Sequence, residues 1–267
     1  PGLMGMSFVD INTGYAVGWD DYVIRTTDGG LTWDTLFIDS GMFSFYADIE
    51  FYDENNGVAL YSDAVYITQD AGDSWTMGSG LTNSGYMIEY LDENTLVAVG
   101  NENYIFKSTD GGYNWSVKNS GSIGQVLLGV DFLNNQYGMA AGDYGNILTT
   151  TDGGETWTLD TQVGDNLLHT PFIWDEDTAW VVGTPELVYK TTDGGVNWNN
   201  VYNGNFDKAF YRITFTDNYT GFICGGSGGI VLRKEGLSGL DTQVFDLETG
   251  YQFISSGVIP PNPDMMV

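Results

Sequence analysis

Three observations predict an all-β chain built from repeated four-stranded sheets. A segment ending in Trp recurs five times at a spacing of about 41 residues, a small apolar segment recurs six times in phase with it, and no stretch carries the 3.6-residue period of a helix. One sheet of four short strands cannot bury both faces unless neighbours stack on it. Units of about 40 residues therefore arrange as the blades of a single closed β-propeller.

The elements of one unit follow in order. Strand A is typified by residues 6–10 and 213–216, and an acidic or Asn-rich turn leads to strand B, the small apolar segment at residues 14–18, 57–61, 96–100, 138–142, 179–183 and 221–225. Strand C is typified by residues 22–26 and 187–191. The Trp-terminated segment, at residues 26–33, 68–75, 108–115, 150–157 and 191–198, then turns the chain into strand D. β-Branched and aromatic residues bounded by Gly, Asn and Asp are the strand and hairpin signals throughout. Asp28, Asp70, Asp110, Asp152 and Asp193 are separated by 42, 40, 42 and 41 residues, which sets the period.

Six such repeats fill residues 1–239. The sixth has Arg233-Lys-Glu-Gly-Leu-Ser-Gly239 where a Trp-terminated turn is expected, and residues 244–253 mirror residues 8–17. Residues 240–267 are therefore expected to form a partial seventh blade or a closing hairpin, with the exit of the domain at Pro260, Pro261 and Pro263. Seven blades are favoured over six.

Eight Lys and Arg stand against 36 Asp and Glu, a formal charge of −28. Such a surface repels phosphate backbones and anionic headgroups, so neither nucleic acid nor membrane insertion is expected. No apolar run approaches the roughly 20 residues that span a bilayer, and residues 1–8 lack the basic and apolar parts of a signal peptide. The expectation is a soluble chain, mature or excised from a longer one. Cys224 is the only cysteine and His169 the only histidine, so no disulfide or Cys-based zinc site is expected and His169 is assigned no metal role. Cys224 shares the strand B column with Val17 and Val182 and reads as a small buried apolar residue.

The five segments of pattern Ser/Thr-x-Asp-x-Gly-x-Thr/Ser/Asn-Trp resemble the Asp-box, or bacterial neuraminidase repeat. The fuller unit, with Gly14-Tyr-Ala-Val-Gly18 ahead of the box, resembles photosystem II stability and assembly factor-like propellers, and the resemblance runs from about residue 5 to residue 239. Repeats of this kind are common in secreted and surface proteins of bacteria. The resemblance thus implies an extracellular or cell-surface setting and engagement of a protein. Ala71 departs from it, standing where the other boxes have their first Gly.

The box reads as a hairpin staple. Gly supplies the positive φ of the turn, the Asp carboxylate accepts hydrogen bonds from turn amides, and Trp33, Trp75, Trp115, Trp157 and Trp198 each cover the hairpin. Calcium is disfavoured, because no turn has the dense oxygen spacing of an EF-hand loop. No cofactor is expected, and weak surface binding of divalent cations is the remaining expectation.

An enzyme is the competing class. A sialidase resemblance would imply an arginine triad, but this chain has only Arg25, Arg212 and Arg233, of which Arg25 and Arg233 are expected to share one repeated strand C column with Lys107 and Lys190. That column reads as packed stems with solvated heads. Other glycoside hydrolases need only two carboxylates across a central cleft, and they form the alternative reading. The acidic clusters at residues 53–54, 92–93 and 175–177 read as solvated A–B turns. Residues 225–229, rich in Gly, read as a flexible turn with no helix after it to cradle phosphate.

In an up-and-down blade the A–B turns and boxes emerge on one face, and the B–C and D–A connections on the other. The D–A connections, residues 38–47, 78–86, 119–125, 161–170 and 202–211, differ from repeat to repeat, and variable loops on a rigid scaffold are where recognition resides. Phe43, Phe45, Tyr46, Tyr86, His169, Tyr202, Phe206 and Tyr211 are the candidate partner-binding residues there. The expected function is a non-catalytic binding or scaffolding propeller that engages a protein or glycan through this face, alone or as part of a larger chain or assembly.

Overall fold

The structure, a computed structural model, describes residues 3–18, 22–37, 46–61, 63–119, 125–203, 209–217, 220–226, 228–233 and 241–245. Six four-stranded antiparallel sheets follow one another among them. The first holds β1 (Leu3–Phe8), β2 (Gly14–Gly18), β3 (Tyr22–Thr26) and β4 (Asp34–Phe37), and the second β5 (Tyr46–Phe51), β6 (Gly57–Tyr61), β7 (Ala64–Thr68) and β8 (Thr76–Met77). The third holds β9 (Gly85–Tyr90), β10 (Leu96–Gly100), β11 (Ile105–Ser108) and β12 (Trp115–Asn119), and the fourth β13 (Leu127–Phe132), β14 (Gly138–Gly142), β15 (Asn146–Thr150) and β16 (Thr158–Gln162). The fifth holds β17 (Leu167–Ile173), β18 (Ala179–Thr184), β19 (Leu187–Thr191) and β20 (Asn199–Asn203), and the sixth β21 (Phe210–Asp217), β22 (Thr220–Gly225), β23 (Gly228–Arg233) and β24 (Asp241–Phe245).

Strands pair in chain order, which puts strand A at one edge of every sheet. From β1 through β5, β9, β13 and β17 to β21, each strand A packs on that of the next sheet, so these inner strands line the axis of a β-propeller. Asp241–Phe245, at the opening of the expected seventh unit, pairs with β23 as the fourth strand of the sixth sheet. Residues 246–267 lie outside the described residues. A 3-10 turn at Asp143–Gly145 is the one helical element described, and no described helix is long and apolar enough to cross a membrane.

The core lies between sheets. Every residue of β2, β6, β10 and β14 is buried, and the apolar clusters join neighbours: Tyr15 and Val17 pack with Ile49 and Ala59, and Val97 and Val99 with Leu127 and Ala140. Cys224 is half-buried in the same column, less enclosed than expected.

The glycine that opens strand B has a steric reason. A Cβ at Gly14, Gly57, Gly138 or Gly221 would lie 2.5–2.6 Å from the ring of Phe8, Phe51, Phe132 or Phe215, which ends strand A in the first three cases and lies two residues from its end in the fourth. Where the aromatic gives way to Ile173, the partner is Ala179.

The boxes have one geometry. In the first, the Thr26 hydroxyl and the Thr32 amide donate to Asp28 Oδ1, both at 2.8 Å, and the Thr32 hydroxyl donates to Oδ2 at 2.6 Å. Asp70, Asp110, Asp152 and Asp193 repeat this arrangement with Ser74, Asn114, Thr156 and Asn197. The carboxylate is thus surrounded by donors, which hold it ionised: the Thr156 hydroxyl and amide bring Asp152 down to about 2. Trp115, 7% exposed, donates from Nε1 to Gly112 O at 2.7 Å, and Trp33, Trp75 and Trp157 do likewise within their own boxes. The indole of Trp198 is the exception, its buried N–H having no partner.

Each box is also joined to the A–B turn of its own sheet. The amides of Gly29, Ala71, Gly111, Gly153 and Gly194 donate to the carbonyls of Asn12, Asn55, Asn94, Gln136 and Asp177 at 2.8–3.0 Å. Ala71 keeps the bond by adopting φ 60, a left-handed conformation that Gly takes without strain.

Two of the strand C cations, Arg25 and Lys107, reach across to the next blade. Arg25 donates to the Ala71 carbonyl and pairs with Asp73, and Lys107, its side chain 9% exposed, pairs with Glu155 at 2.8 Å, which also holds Lys118. The expected solvated heads of Arg25 and Lys107 are therefore bridges between blades, while Lys190 lies over the Trp180 ring of its own sheet. Register also removes Arg233 from this column: Tyr15 pairs with Arg25 and Val97 with Lys107, but the equivalent Phe222 pairs with Val231.

Candidate functional site

An inner strand has a free edge, and its N–H groups need acceptors. Side chains of the preceding inner strand supply them. The Phe51 amide donates to Ser7 Oγ at 3.0 Å, Ile88 to Asp48 Oδ2 at 3.1 Å, Phe132 to Glu89 Oε1 at 3.2 Å and Ile173 to Asp131 Oδ2 at 2.5 Å. On β17 the roles reverse, and the Thr170 hydroxyl donates to the Tyr211 carbonyl at 2.6 Å. The axis is thus lined by polar side chains that stitch each sheet to the next.

Arg212 crosses this channel. From β21 it reaches Asp48 on β5 at 3.1 Å and Met87 Sδ on β9 at 2.8 Å, joining the sixth sheet to the second and third. It is a channel cation, with no second arginine beside it among the described residues, and the triad of a sialidase is not assembled there.

Enclosure shapes the electrostatics. Burial, with Asp48 adding its charge, pushes Glu50 up to about 8, and burial pushes Asp131 up to about 7 against the Ile173 amide. Glu89 is raised well above the usual range by burial and by Asp131 and Glu50, and its Oε2 is buried without a partner. Burial also raises Asp48, against the opposing pull of Arg212 and the Ile88 amide. Near neutrality Glu50 and Glu89 therefore hold protons, and the formal charge overstates the charge of the channel.

His169 lies on β17 rather than in a loop. Its Nε2 is 3.2 Å from the Thr184 hydroxyl, its ring meets Tyr211 edge-on at 5.0 Å, and burial together with Arg212 lowers it to about 4, so it is neutral at physiological pH. Tyr211, on β21, is 47% exposed, and Tyr86 is half-buried on β9. Tyr202 packs within β20 against Phe210 at 5.8 Å and so serves the core. Tyr46 opens β5, while Phe43, Phe45 and Phe206 lie outside the described residues. Of the candidate face, the structure brings His169 and Tyr211 together. Among the described residues no group of three or more His, Cys, Asp or Glu is arranged to hold a metal ion.

Sequence reasoning missed Asp48, Glu50, Glu89 and Asp131. A signal was present: three successive strands A carry an acid just before the closing aromatic, Glu50, Glu89 and Asp131, and the first of them carries Asp48 as well.

The family described as photosynthesis system II assembly factor YCF48 matches residues 2–127 and 120–206. The photosystem II stability/assembly factor HCF136, chloroplastic, of Guillardia theta is 23% identical over 217 residues, 68% of this chain and 54% of the relative. The chain therefore spans about half the length of that relative. Among solved structures, YCF48 from Cyanidioschyzon merolae superposes with a TM-score of 0.75 at 16% identity, over 95% of this chain and 90% of the other. A structure described as YCF48 bound to D1 peptide gives 0.52 at 20% identity, over 88% and 93%. At these identities the structural likeness speaks for the propeller fold.

Proposed function

The chain belongs to the photosynthesis system II assembly factor YCF48 family, and on that premise we propose that it is a non-catalytic propeller that binds a protein segment. The family is one of assembly factors rather than of enzymes. One observation carries the reading: of the four acids at the axis, Asp48, Glu89 and Asp131 are each engaged by an amide of the neighbouring sheet. Groups held in this way support the fold, whereas a glycoside hydrolase needs one acid and one base free to face a sugar.

Binding is assigned to the face of the B–C and D–A connections, around Tyr211, His169 and Tyr86. Tyr211 offers a half-exposed ring held in place by His169, the kind of rigid aromatic anchor that centres protein interfaces. The relative described as bound to D1 peptide makes that peptide a suitable probe. An extracellular or cell-surface setting belongs to the same proposal, as does loose association of divalent cations with the acidic turns; cell fractionation and melting with and without calcium test them.

Calorimetric titration with the D1 peptide, run on the native chain and on Tyr211→Ala and His169→Ala, tests the binding. Loss of affinity of about tenfold in Tyr211→Ala is expected for an anchor residue. Equal affinity in all three removes the site. Turnover of a glycoside substrate that disappears in Glu89→Gln would overturn the non-catalytic reading.

A further inference from the structure

The opposite face carries a second repeated arrangement. The residue that follows the last position of strand A is apolar in five successive units: Val9, Tyr52, Leu91, Leu133 and Trp174. Val9, Leu91 and Leu133 pack on the clusters that seal the seam with the next blade, and the Tyr52 ring lies 5.7 Å from Tyr90 of the third sheet. All five keep part of their surface open, Tyr52 as much as 49%. Each stands at the end of an inner strand, so together they form an apolar lip around the channel mouth.

Immediately beyond the lip comes charge. Asp10, Asp53, Asp92 and Asp175 each accept the amides two and three residues on, and Asn134 does so in the fourth sheet. Amide donors hold Asp10 below the usual carboxylate range, and in the other three the donors together outweigh the desolvation that opposes them. Unlike Glu50 and Glu89 in the channel, these stay ionised at physiological pH. The exposed Glu54, Glu93 and Glu176 follow them, and the box carboxylates share the same face through the bonds between box and A–B turn. The cations beside this face are engaged: Arg25 with Asp73, Lys107 and Lys118 with Glu155, and Lys190 over the Trp180 ring.

We propose that this A–B turn face is a second docking surface, whose partner is a cationic protein segment carrying aliphatic or aromatic side chains. The apolar lip takes the apolar side chains and the ring of fixed carboxylates takes the Lys or Arg. Charge complementarity selects this partner over anionic ones and over a second copy of the chain, which is itself acidic.

The test uses three short synthetic peptides followed by fluorescence anisotropy: one alternating Arg with Leu and Trp, one with Glu in place of Arg, and one with Ser in place of Leu and Trp. The first is expected to bind the native chain at least about tenfold tighter than either control, with an affinity that falls as salt rises. Glu54→Lys/Glu93→Lys/Glu176→Lys is expected to abolish binding. Tyr52→Ser/Trp174→Ser should weaken the Arg/Leu/Trp peptide about tenfold and leave the Arg/Ser peptide unchanged. Tyr52→Ser alone, at the more exposed of the two positions, serves if the double variant does not fold. Tyr211→Ala, on the other face, should change nothing. Equal binding of the apolar and Ser-containing basic peptides, or binding unmoved by the charge reversals, overturns the proposal.

Discussion

Alanine introduced at the first glycine of each box tests how the box is joined to its A–B turn. Gly111 has φ +73, and a Cβ there would have nothing within 4 Å. Gly153 has φ +69, but its Cβ would lie 2.6 Å from the Asn135 carbonyl. At Gly111 a left-handed alanine costs about 1–2 kcal/mol. The stiffer unfolded chain returns about 0.4–1 kcal/mol, leaving a net loss near 1 kcal/mol. At Gly153 the overlap with backbone adds about 1–3 kcal/mol, because the A–B turn must move while its Gln136 carbonyl still accepts the amide at residue 153. Ala71→Gly, in the box that already carries the strain, should gain up to about 1 kcal/mol. Urea unfolding at constant m measures all three as shifts in midpoint, with Gly153→Ala lowest and Ala71→Gly above the native chain. Equal midpoints for Gly111→Ala and Gly153→Ala, or a destabilised Ala71→Gly, would refute the reasoning.

The remaining expectations concern charge and packing. Glu50 has a raised pKa in the folded chain, so the stability it contributes is full below about pH 4.5 and is lost as pH rises through about 8, a loss of order a few kcal/mol that Glu50→Gln should remove from a melting profile. Asp152 behaves oppositely: its contribution is present above pH 3.8 and is lost as pH falls through about 2, so Asp152→Asn should flatten only the acid limb. A double-mutant cycle with Lys107→Met and Glu155→Gln should give a coupling of about 1–2 kcal/mol, against less than about 1 kcal/mol for Arg25 and Asp73, where the acid is 67% exposed; equal couplings would contradict the difference in burial. Gly138→Ala should cost about 2 kcal/mol beside Phe132 and under about 1 kcal/mol in a Phe132→Ile background, which copies the Ile173 and Ala179 pair. Unchanged destabilisation in that background would show that the ring is not the obstacle.

Much of the fold was legible because the repeat is written in residues with strong local preferences. Asp-Gly-Gly turns, the Trp that follows them and the small strand B announce themselves within a few positions, and five copies in phase give the period. The A–B turns were legible as turns, but the part played by their acids was not: Asp10, Asp53, Asp92 and Asp175 cap amides of their own turns and are more than solvated charge. The channel was the least legible. Glu89 and Asp131 find their partners 43 and 42 residues on, in the next repeat, and that partner is backbone, which leaves no complementary side chain to notice. The same holds for the cation column, where Arg25 and Lys107 each reach an acid 48 residues on, one repeat plus the length of a turn. His169 was misplaced in a loop because Pro171 and the polar Thr170 make β17 look irregular, although its ends pair with β18.

The stitched inner strands bear on how such a chain avoids aggregating while it is being made. A sheet that forms before its successor presents strand A as a bare edge, open to pairing with any other chain. Glu50, Glu89 and Asp131 sit on those edges and, still in water, carry their full charge, which discourages strand addition by strangers. Arrival of the next sheet encloses the same carboxylates, turns Glu89 and Asp131 into acceptors for its amides and raises the proton affinity of all three. Side chains that guard the unfinished sheet thus become the seam of the finished one.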